Sequence, residues 1–217
     1  MLLSFGGARM AGLGLEPSDF ELFEIDDPDD RADALEANLQ PKLAAIADHC
    51  VSGLARVAGK DLFCHSVKVA RRKGVPPEEL AVAFSDSAKG WRGVPYLAVV
   101  LTRAHLHERI GVRGESPRRE PMQRALAREA ANLARKGKPF RRLRQYLDWN
   151  YEELPEIAPA HSPAFWTELG EGLAAGRAGL DVGVAFTAEE ARSLGLGDLL
   201  GAFRDLSPLY KLLANAE

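Results

Sequence analysis

The chain has little cysteine, and its two cysteines, Cys50 and Cys64, are too few for a disulfide scaffold. Free thiols fit a reducing compartment, so we expect a cytoplasmic protein. No run approaches the roughly 18 consecutive apolar residues that a membrane helix needs, which predicts no membrane association. Residues 1–15 lack the basic start of a secretory leader, and Arg9 interrupts their short apolar run.

The familiar catalytic and cofactor motifs are also lacking. Residues 7–12 have the glycine spacing of a phosphate loop, but the Lys-Ser/Thr pair of such a loop is missing. The pairs His49-Cys50 and Cys64-His65 contain ligand types for zinc, but adjacent strand residues point to opposite faces and suit one tetrahedral ion poorly. There is no Gly-x-Ser-x-Gly elbow. We therefore predict no metal and no cofactor, and the sequence leaves open whether the protein is an enzyme.

Charge is spread unevenly along the chain, although the formal net charge is only −3. Residues 1–50 carry three bases and eleven acids, residues 51–145 carry twenty-one bases and eight acids, and residues 146–217 carry four bases and twelve acids. Blocks of one sign commonly form solvated faces that pair across a fold. The alternative is that the basic middle binds an anionic partner.

Helix signals occur at both ends of the chain. Asp27 before Pro28 is a capping acceptor before a residue with preset φ, and apolar residues then recur at helical spacing. Pro41 is expected to kink or split this helix, because it lacks an amide donor. Further helices are predicted over residues 121–136, over residues 163–176, after the capping box of Thr187 and Glu190, and along the apolar stripe from Leu199 to Leu213.

Strand signals cluster in the middle. Residues 63–70 alternate in polarity, and Phe63, His65 and Val67 share the parity predicted to face the core. Other strands are predicted over residues 80–85, 146–152 and 180–186, with a long hairpin over residues 95–114. Clustered strands between terminal helices predict an α+β two-layer sandwich, with a mostly antiparallel central sheet and helices packed on one face. We expect a loose tail over residues 1–16 and a single domain over residues 17–217.

The hairpin is the most informative segment. If Thr102 opposes His105, Leu101 meets Leu106 and Leu97 meets Ile110 on one apolar face. The other face of the return strand is basic, with His105, His107, Arg109 and Arg113. Their predicted partners are mostly small, which leaves room for a ligand; they are Thr102, Val100, Ala98 and Tyr96. Arginine and lysine suit phosphate or carboxylate oxygens, so this face is the predicted binding site for an anionic small molecule.

Other residues are candidates for the same ligand. Arg71 and Arg72 form a basic cluster at the end of the first strand, and Trp91-Arg92 places an aromatic ring beside a guanidinium. His65 is predicted to be a hydrogen-bonded core histidine rather than a catalytic one. The predicted ligand-binding residues are Lys68, Arg71, Arg72, Arg92, His107 and Arg109, with His65, His105, Tyr96 and Trp91 as secondary candidates.

Two alternative functions remain open at this point. Residues 118–144 carry ten bases and two acids, so this stretch is a candidate for tracking a nucleic-acid backbone. The basic middle is equally a candidate for meeting the acidic flank of a neighbouring subunit in a structural or interaction protein. The sequence does not determine the oligomeric state.

Seven segments of the chain carry a family resemblance. They are Asp19-Phe20 to Ile25, Gln40-Pro41-Lys42, Phe63 to Arg72, Pro76-Pro77, Val82 to Phe84, Lys89 to Pro95 and the hairpin to Glu115. Together they resemble the YktB-like family of uncharacterised bacterial proteins over about two thirds of the chain. The family often has histidines where Val69 and Tyr96 stand here. The resemblance implies an α+β two-layer fold, akin in outline to the catalytic domain of biotin-protein ligases, and implies no established activity.

Overall fold

The computed structural model describes residues 12–66, 69, 71, 73–151, 153–176 and 179–217. Its sheet has six strands in the order β1-β2-β3-β4-β6-β5, and every neighbouring pair is antiparallel. The strands are β1 (Phe63–Ser66), β2 (Glu79–Ser85), β3 (Tyr96–Thr102), β4 (His105–Val112), β5 (Arg144–Gln145) and β6 (Leu180–Thr187).

Seven α-helices lie among the described residues: α1 (Pro17–Glu21), α2 (Pro28–Ala34), α3 (Gln40–Ala58), α4 (Arg119–Arg135), α5 (Pro163–Ala174), α6 (Ala188–Ser193) and α7 (Leu196–Ala214). Asp27 caps α2 by accepting from two backbone amides, as predicted. A π-helical turn, Leu35–Leu39, separates α2 from α3, and Pro41 lies in the first turn of α3. The helix thus changes to a π-helical turn just before Pro41, which fits the missing amide donor of proline, and the expected kink or split itself stays a prediction.

The helices pack on one face of the sheet, which confirms the predicted α+β class. One large apolar cluster joins the helices to the alternate strand residues Leu97, Val99, Leu101, Leu106 and Ile110. The hairpin register is the predicted one, with Leu101 opposite Leu106 and Leu97 opposite Ile110. A two-residue connection, Arg103-Ala104, fixes that register.

The opposite face carries a second, small cluster of buried residues: Ala83, Tyr96, Ala98 and Val100. Tyr96, Ala98 and Val100 are among the partners that the hairpin pattern predicted for the basic face, and Ala83 of β2 joins them. The described helices pack against the first cluster, whereas this face is lined largely by loop residues, among them Trp91 and Trp149. The candidate site lies on that second face.

Three predictions about local structure are wrong. In β1 the parity is reversed: Cys64 pairs with the core residue Phe84, whereas Phe63 is 45% exposed and His65 pairs with Ala83 of the second cluster. Residues 146–151 form an irregular segment rather than a strand. The packed part of the chain begins before residue 17, because Leu13 and Leu15 are buried in the main core.

Charge blocks of opposite sign pair across the fold. Arg71 bonds Asp33 and Glu36, and Arg103 bonds Glu24, so basic residues of the middle neutralise acids of the first fifty residues. These pairs are exposed, so solvent screens them and each contributes little to stability. Within the described residues, no helix is long and apolar enough to cross a membrane.

Candidate functional site

A cavity of about 750 Å³ opens on the sheet face that the helices leave uncovered. Its floor consists of small residues from β2 and β3, namely Ala81, Ala83, Ala98 and Val100. Because adjacent strands place these residues side by side on one face, they form a shallow apolar surface. Five aromatic side chains line the cavity: Trp91, Tyr96, Tyr146, Trp149 and Tyr151. A cavity of this size and lining is typical of a small-molecule site.

Residues 146–151, here called the aromatic strap, form one wall. The strap is anchored to the sheet because Gln145 pairs with Val182 and the Tyr146 amide donates to the Asp181 carbonyl at 2.9 Å. It then leaves the sheet through two non-glycine residues with positive φ, Asp148 at 57° and Tyr151 at 66°. Left-handed backbone is unfavourable for a bulky residue such as tyrosine. Side chains on the strap must therefore hold it, and such strain clusters at ligand sites.

Arg109 of β4 lies at the centre of the site. Its side chain is only 6% exposed, and its Nη1 bonds both Asp181 (3.3 Å) and Glu79 (3.5 Å). Its Nε and Nη2 have no hydrogen-bond partner among the described residues. Burial lowers the pKa of Arg109, but the two carboxylates more than offset this, so the pKa stays above its usual value and the guanidinium stays charged.

Asp181 of β6 shares the cavity with Arg109. Burial raises the pKa of Asp181 to about 6, against the lowering effect of Arg109. Glu79 adds to the increase, because two carboxylates that bond one guanidinium repel each other. One oxygen of Asp181, Oδ1, is buried and has no partner among the described residues. Asp181 is therefore ionised at neutral pH and holds an unused acceptor.

Two further arginines line the same cavity. Arg113, just beyond β4, is exposed and lies 4.7 Å from the centre of the Trp91 ring. Arg119, at the start of α4, is half-buried, and its Nε has no partner among the described residues. Four acids balance these arginines: Glu79, Glu115, Asp148 and Asp181. The hairpin alone predicted a uniformly basic face. The face instead carries both positive and negative charges.

The two hairpin histidines have a different environment from the one predicted. His107 is fully buried, its Nε2 lies 3.1 Å from the Thr102 hydroxyl, and its ring packs edge-on against Tyr146 and Trp149. Burial, together with nearby Arg109, lowers the pKa of His107 to about 2. The imidazole is therefore neutral, and it supports the strap instead of facing the cavity. The pKa of His105 is also lowered, and burial is the main cause.

The remaining predicted residues are not all brought together. Trp91 and Tyr96 line the cavity, with ring centres 4.6 Å apart. Arg92 is exposed and outside the lining, and Arg71 is bonded to Asp33 and Glu36. His65 is not a core histidine; its Nε2 lies 3.0 Å from the Ser85 hydroxyl on the cavity side of the sheet. Lys68 and Arg72 lie outside the described residues, so their assignment stays a prediction.

Several cavity residues were missed by sequence reasoning: Glu79, Arg119, Tyr146, Trp149 and Asp181. A signal existed for Asp181, which shares its parity in the predicted strand 180–186 with the small residues Gly183 and Ala185. The missing information was that β6 pairs with β4, which places Gly183 opposite Arg109. Strand order between distant segments does not follow from alternation.

At both ends of the basic stretch 118–144, arginine side chains make hydrogen bonds to backbone carbonyls of the fold. Arg118 donates to the carbonyl oxygens of Ala214, at the end of α7, and of Ala216 just after it, and Arg142 donates to the Ala185 carbonyl. Between them, Arg124, Arg128 and Arg135 are exposed on the outer side of α4.

Comparison with known proteins agrees with the resemblance. A model of a domain of unknown function, DUF1054, matches residues 15–199. A UPF0637 protein of Bacillus velezensis is 29% identical over 126 residues, 58% of this chain and 60% of that protein. A UPF0637 protein of Bacillus thuringiensis is 32% identical over 102 residues, 47% of this chain and 49% of that protein. The chain thus spans between about half and three fifths of the length of these relatives. It belongs to the DUF1054 family of uncharacterised, YktB-like bacterial proteins.

Proposed function

We propose that the cavity binds a small molecule that carries one anionic group, a phosphate or a carboxylate. One observation carries this proposal: the Arg109 guanidinium is buried in the cavity with Nε and Nη2 unpartnered among the described residues. A buried hydrogen-bond donor without a partner costs about 1–3 kcal/mol. Binding of a ligand oxygen that accepts from this donor is therefore favoured by a similar amount. Arginine presents a planar fork that suits such oxygens.

The charge of the cavity limits the kind of anion. Arg109, Arg113 and Arg119 are accompanied by four carboxylates, so the cavity has no large excess of positive charge. A compact polyanion would meet repulsion from these acids, whereas a single anionic group beside the arginines would not. The apolar floor and the aromatic walls suit the rest of the molecule.

Calorimetry and thermal shift with simple probes test this proposal. We expect inorganic phosphate and ribose 5-phosphate to stabilise the protein, since a ligand that binds only the folded state raises its melting temperature. Arg119→Ala and Arg109→Lys should each weaken ribose 5-phosphate about tenfold, because a charge-assisted contact is lost. Arg71→Ala is the matched control, since Arg71 is exposed and bonded to Asp33 and Glu36.

The proposal is overturned if no anionic probe stabilises the wild-type protein at millimolar concentration. It is equally overturned if Arg71→Ala weakens binding as much as Arg119→Ala, because binding would then reflect overall charge. Arg119→Ala has a fold control in its circular dichroism spectrum and melting curve.

A second candidate function rests on the exposed arginines of α4. Arg124, Arg128 and Arg135 recur at helical spacing on one side of the helix, as a backbone-tracking stripe would. We expect a mobility shift with single- or double-stranded nucleic acid that weakens steeply from low to moderate salt, and less so in an Arg124→Glu, Arg128→Glu variant. Binding that ignores both salt and these substitutions would remove this candidate.

A further inference from the structure

The cavity holds unused hydrogen-bonding atoms of both kinds. Donors without a partner among the described residues are Arg109 Nε and Nη2 and Arg119 Nε, and the acceptor without one is Asp181 Oδ1. Arg109 is 5% exposed, so its free donors are not satisfied by bulk solvent. A ligand that completes this site must supply an oxygen and an N–H group together.

The walls add a second requirement. Trp149 lies 4.6 Å from Tyr151 between ring centres on the strap, and Trp91 lies 4.6 Å from Tyr96 near the start of β3. Aromatic rings in such pairs offer faces and edges on which a flat ring stacks. The small floor residues leave space for that ring, which neither phosphate nor an aliphatic acid would fill.

We propose that the ligand is a purine nucleotide with an exocyclic amino group, whose phosphate is held by the arginines and whose amino group donates to Asp181. This inference rests on the proposed anion-binding function and adds the class of molecule. The pieces correspond one to one: a phosphate for the free guanidinium donors, a two-ring base for the aromatic walls, and an N–H donor for the free carboxylate oxygen.

The carboxylates also decide which bases are disfavoured. Asp181 and Glu79 both bond Arg109 Nη1, so they are close neighbours on the same side of the guanidinium. A base with carbonyl oxygens at this position would place hydrogen-bond acceptors against the carboxylates of Asp181 and Glu79, with no donor between them. A buried polar group left in this state is costly, which is why hydrogen-bonding sites discriminate strongly between ligands.

The test compares two nucleotides that differ by one group. Adenosine 5′-monophosphate has the amino group, and purine riboside 5′-monophosphate has hydrogen in its place. We expect wild-type protein to bind the first at least about tenfold more tightly in calorimetry at pH 7.5, as the loss of one charge-assisted hydrogen bond implies. Ribose 5-phosphate and adenosine serve as single-part probes.

Asp181→Leu separates a direct role from a structural one. Loss of the acceptor should reduce the preference for the amino group to about twofold or less. The same change should leave the affinity for ribose 5-phosphate unchanged or raise it, because Arg109 loses a competing carboxylate. A merely structural role would weaken both probes together. Glu171→Gln, which changes an exposed acid of α5 outside the cavity lining, is the matched control that should keep the preference.

The outcomes separate the two proposals. If both nucleotides bind equally well, the amino-purine inference is wrong while anion binding stands. The inference is also wrong if Asp181→Leu keeps the full preference. If neither nucleotide, ribose 5-phosphate nor phosphate binds, both proposals are wrong.

Discussion

The guanidinium carbon of Arg109 lies 4.2 Å from the centre of the Tyr146 ring. This contact covers the buried cation and attaches the aromatic strap to the sheet. The Tyr146 hydroxyl, by contrast, is buried and has no partner among the described residues. The ring therefore carries the stabilising interaction, and the hydroxyl contributes nothing that the fold requires.

Two substitutions at Tyr146 separate these parts. Tyr146→Phe keeps the ring and removes an unsatisfied hydroxyl, so we expect the free energy of unfolding to stay within about 0.5 kcal/mol or to increase. Tyr146→Leu loses the cation–π contact and leaves a gap, so we expect a decrease of about 2 kcal/mol. Urea denaturation at pH 7 measures both. Equal losses in the two variants would show that the hydroxyl matters.

Gly111 of β4 lies directly against the Tyr96 ring. A Cβ added there would lie 2.1 Å from Cζ of Tyr96, so the absent side chain makes room for the Tyr96 ring to cross the strand. Gly111→Ala should displace that ring from the cavity wall and lower the free energy of unfolding by about 2 kcal/mol.

Gly201 is the matched control for that substitution. It lies in α7, and an added Cβ would meet nothing within 4 Å. Gly201→Ala should therefore raise the free energy of unfolding by about 0.5–1 kcal/mol, because alanine restricts the unfolded chain and favours helix. A stabilised Gly111→Ala variant would show that Tyr96 does not hold the position described.

The hairpin was predictable because two local signals agree. Alternation assigns Leu97 and Leu101 to one face, and a two-residue connection allows only registers that keep that parity. The same holds for the Thr187 and Glu190 capping box, where both hydrogen bonds form between residues three apart. Interactions between residues that are close in the chain can therefore be predicted from the sequence.

The face of β1 and the course of the strap were not predictable in this way. Phe63 is apolar yet exposed, since β1 is an edge strand and its outer face meets solvent. Tyr146 and Trp149 do not follow a strand pattern, because they pack on Arg109 and His107 of β4, which lie 37 and 42 positions earlier in the chain. Contacts between distant segments decide both features, and these segments make the candidate site.

Glu108 gives the last prediction, since it is fully buried on the helix side of β4 opposite Val99. Neither carboxyl oxygen has a hydrogen-bond partner among the described residues, and burial raises its pKa well above the usual value, offset only in part by the nearby Phe203 backbone. A raised pKa in the folded state means that the native protein binds the proton more tightly than the unfolded chain. Stability should therefore fall as pH rises from the ordinary glutamate value of 4.5 toward the folded pKa, by up to about 1.4 kcal/mol per pH unit.

Glu108→Met removes this dependence because it keeps the shape of the side chain without its charge. We expect the variant to be more stable than the wild type in urea denaturation at pH 8.5, and its advantage to shrink as the pH falls to 5. Asp181 has the same sign of dependence, but only between its ordinary value of 3.8 and its pKa of about 6, so it adds little to the slope above pH 7. Glu115→Gln is the control, since Glu115 is exposed and its substitution should leave the slope unchanged. Parallel pH curves for Glu108→Met and wild type would mean that the carboxyl is solvated in the folded protein, and the packing of α7 over β4 would need revision.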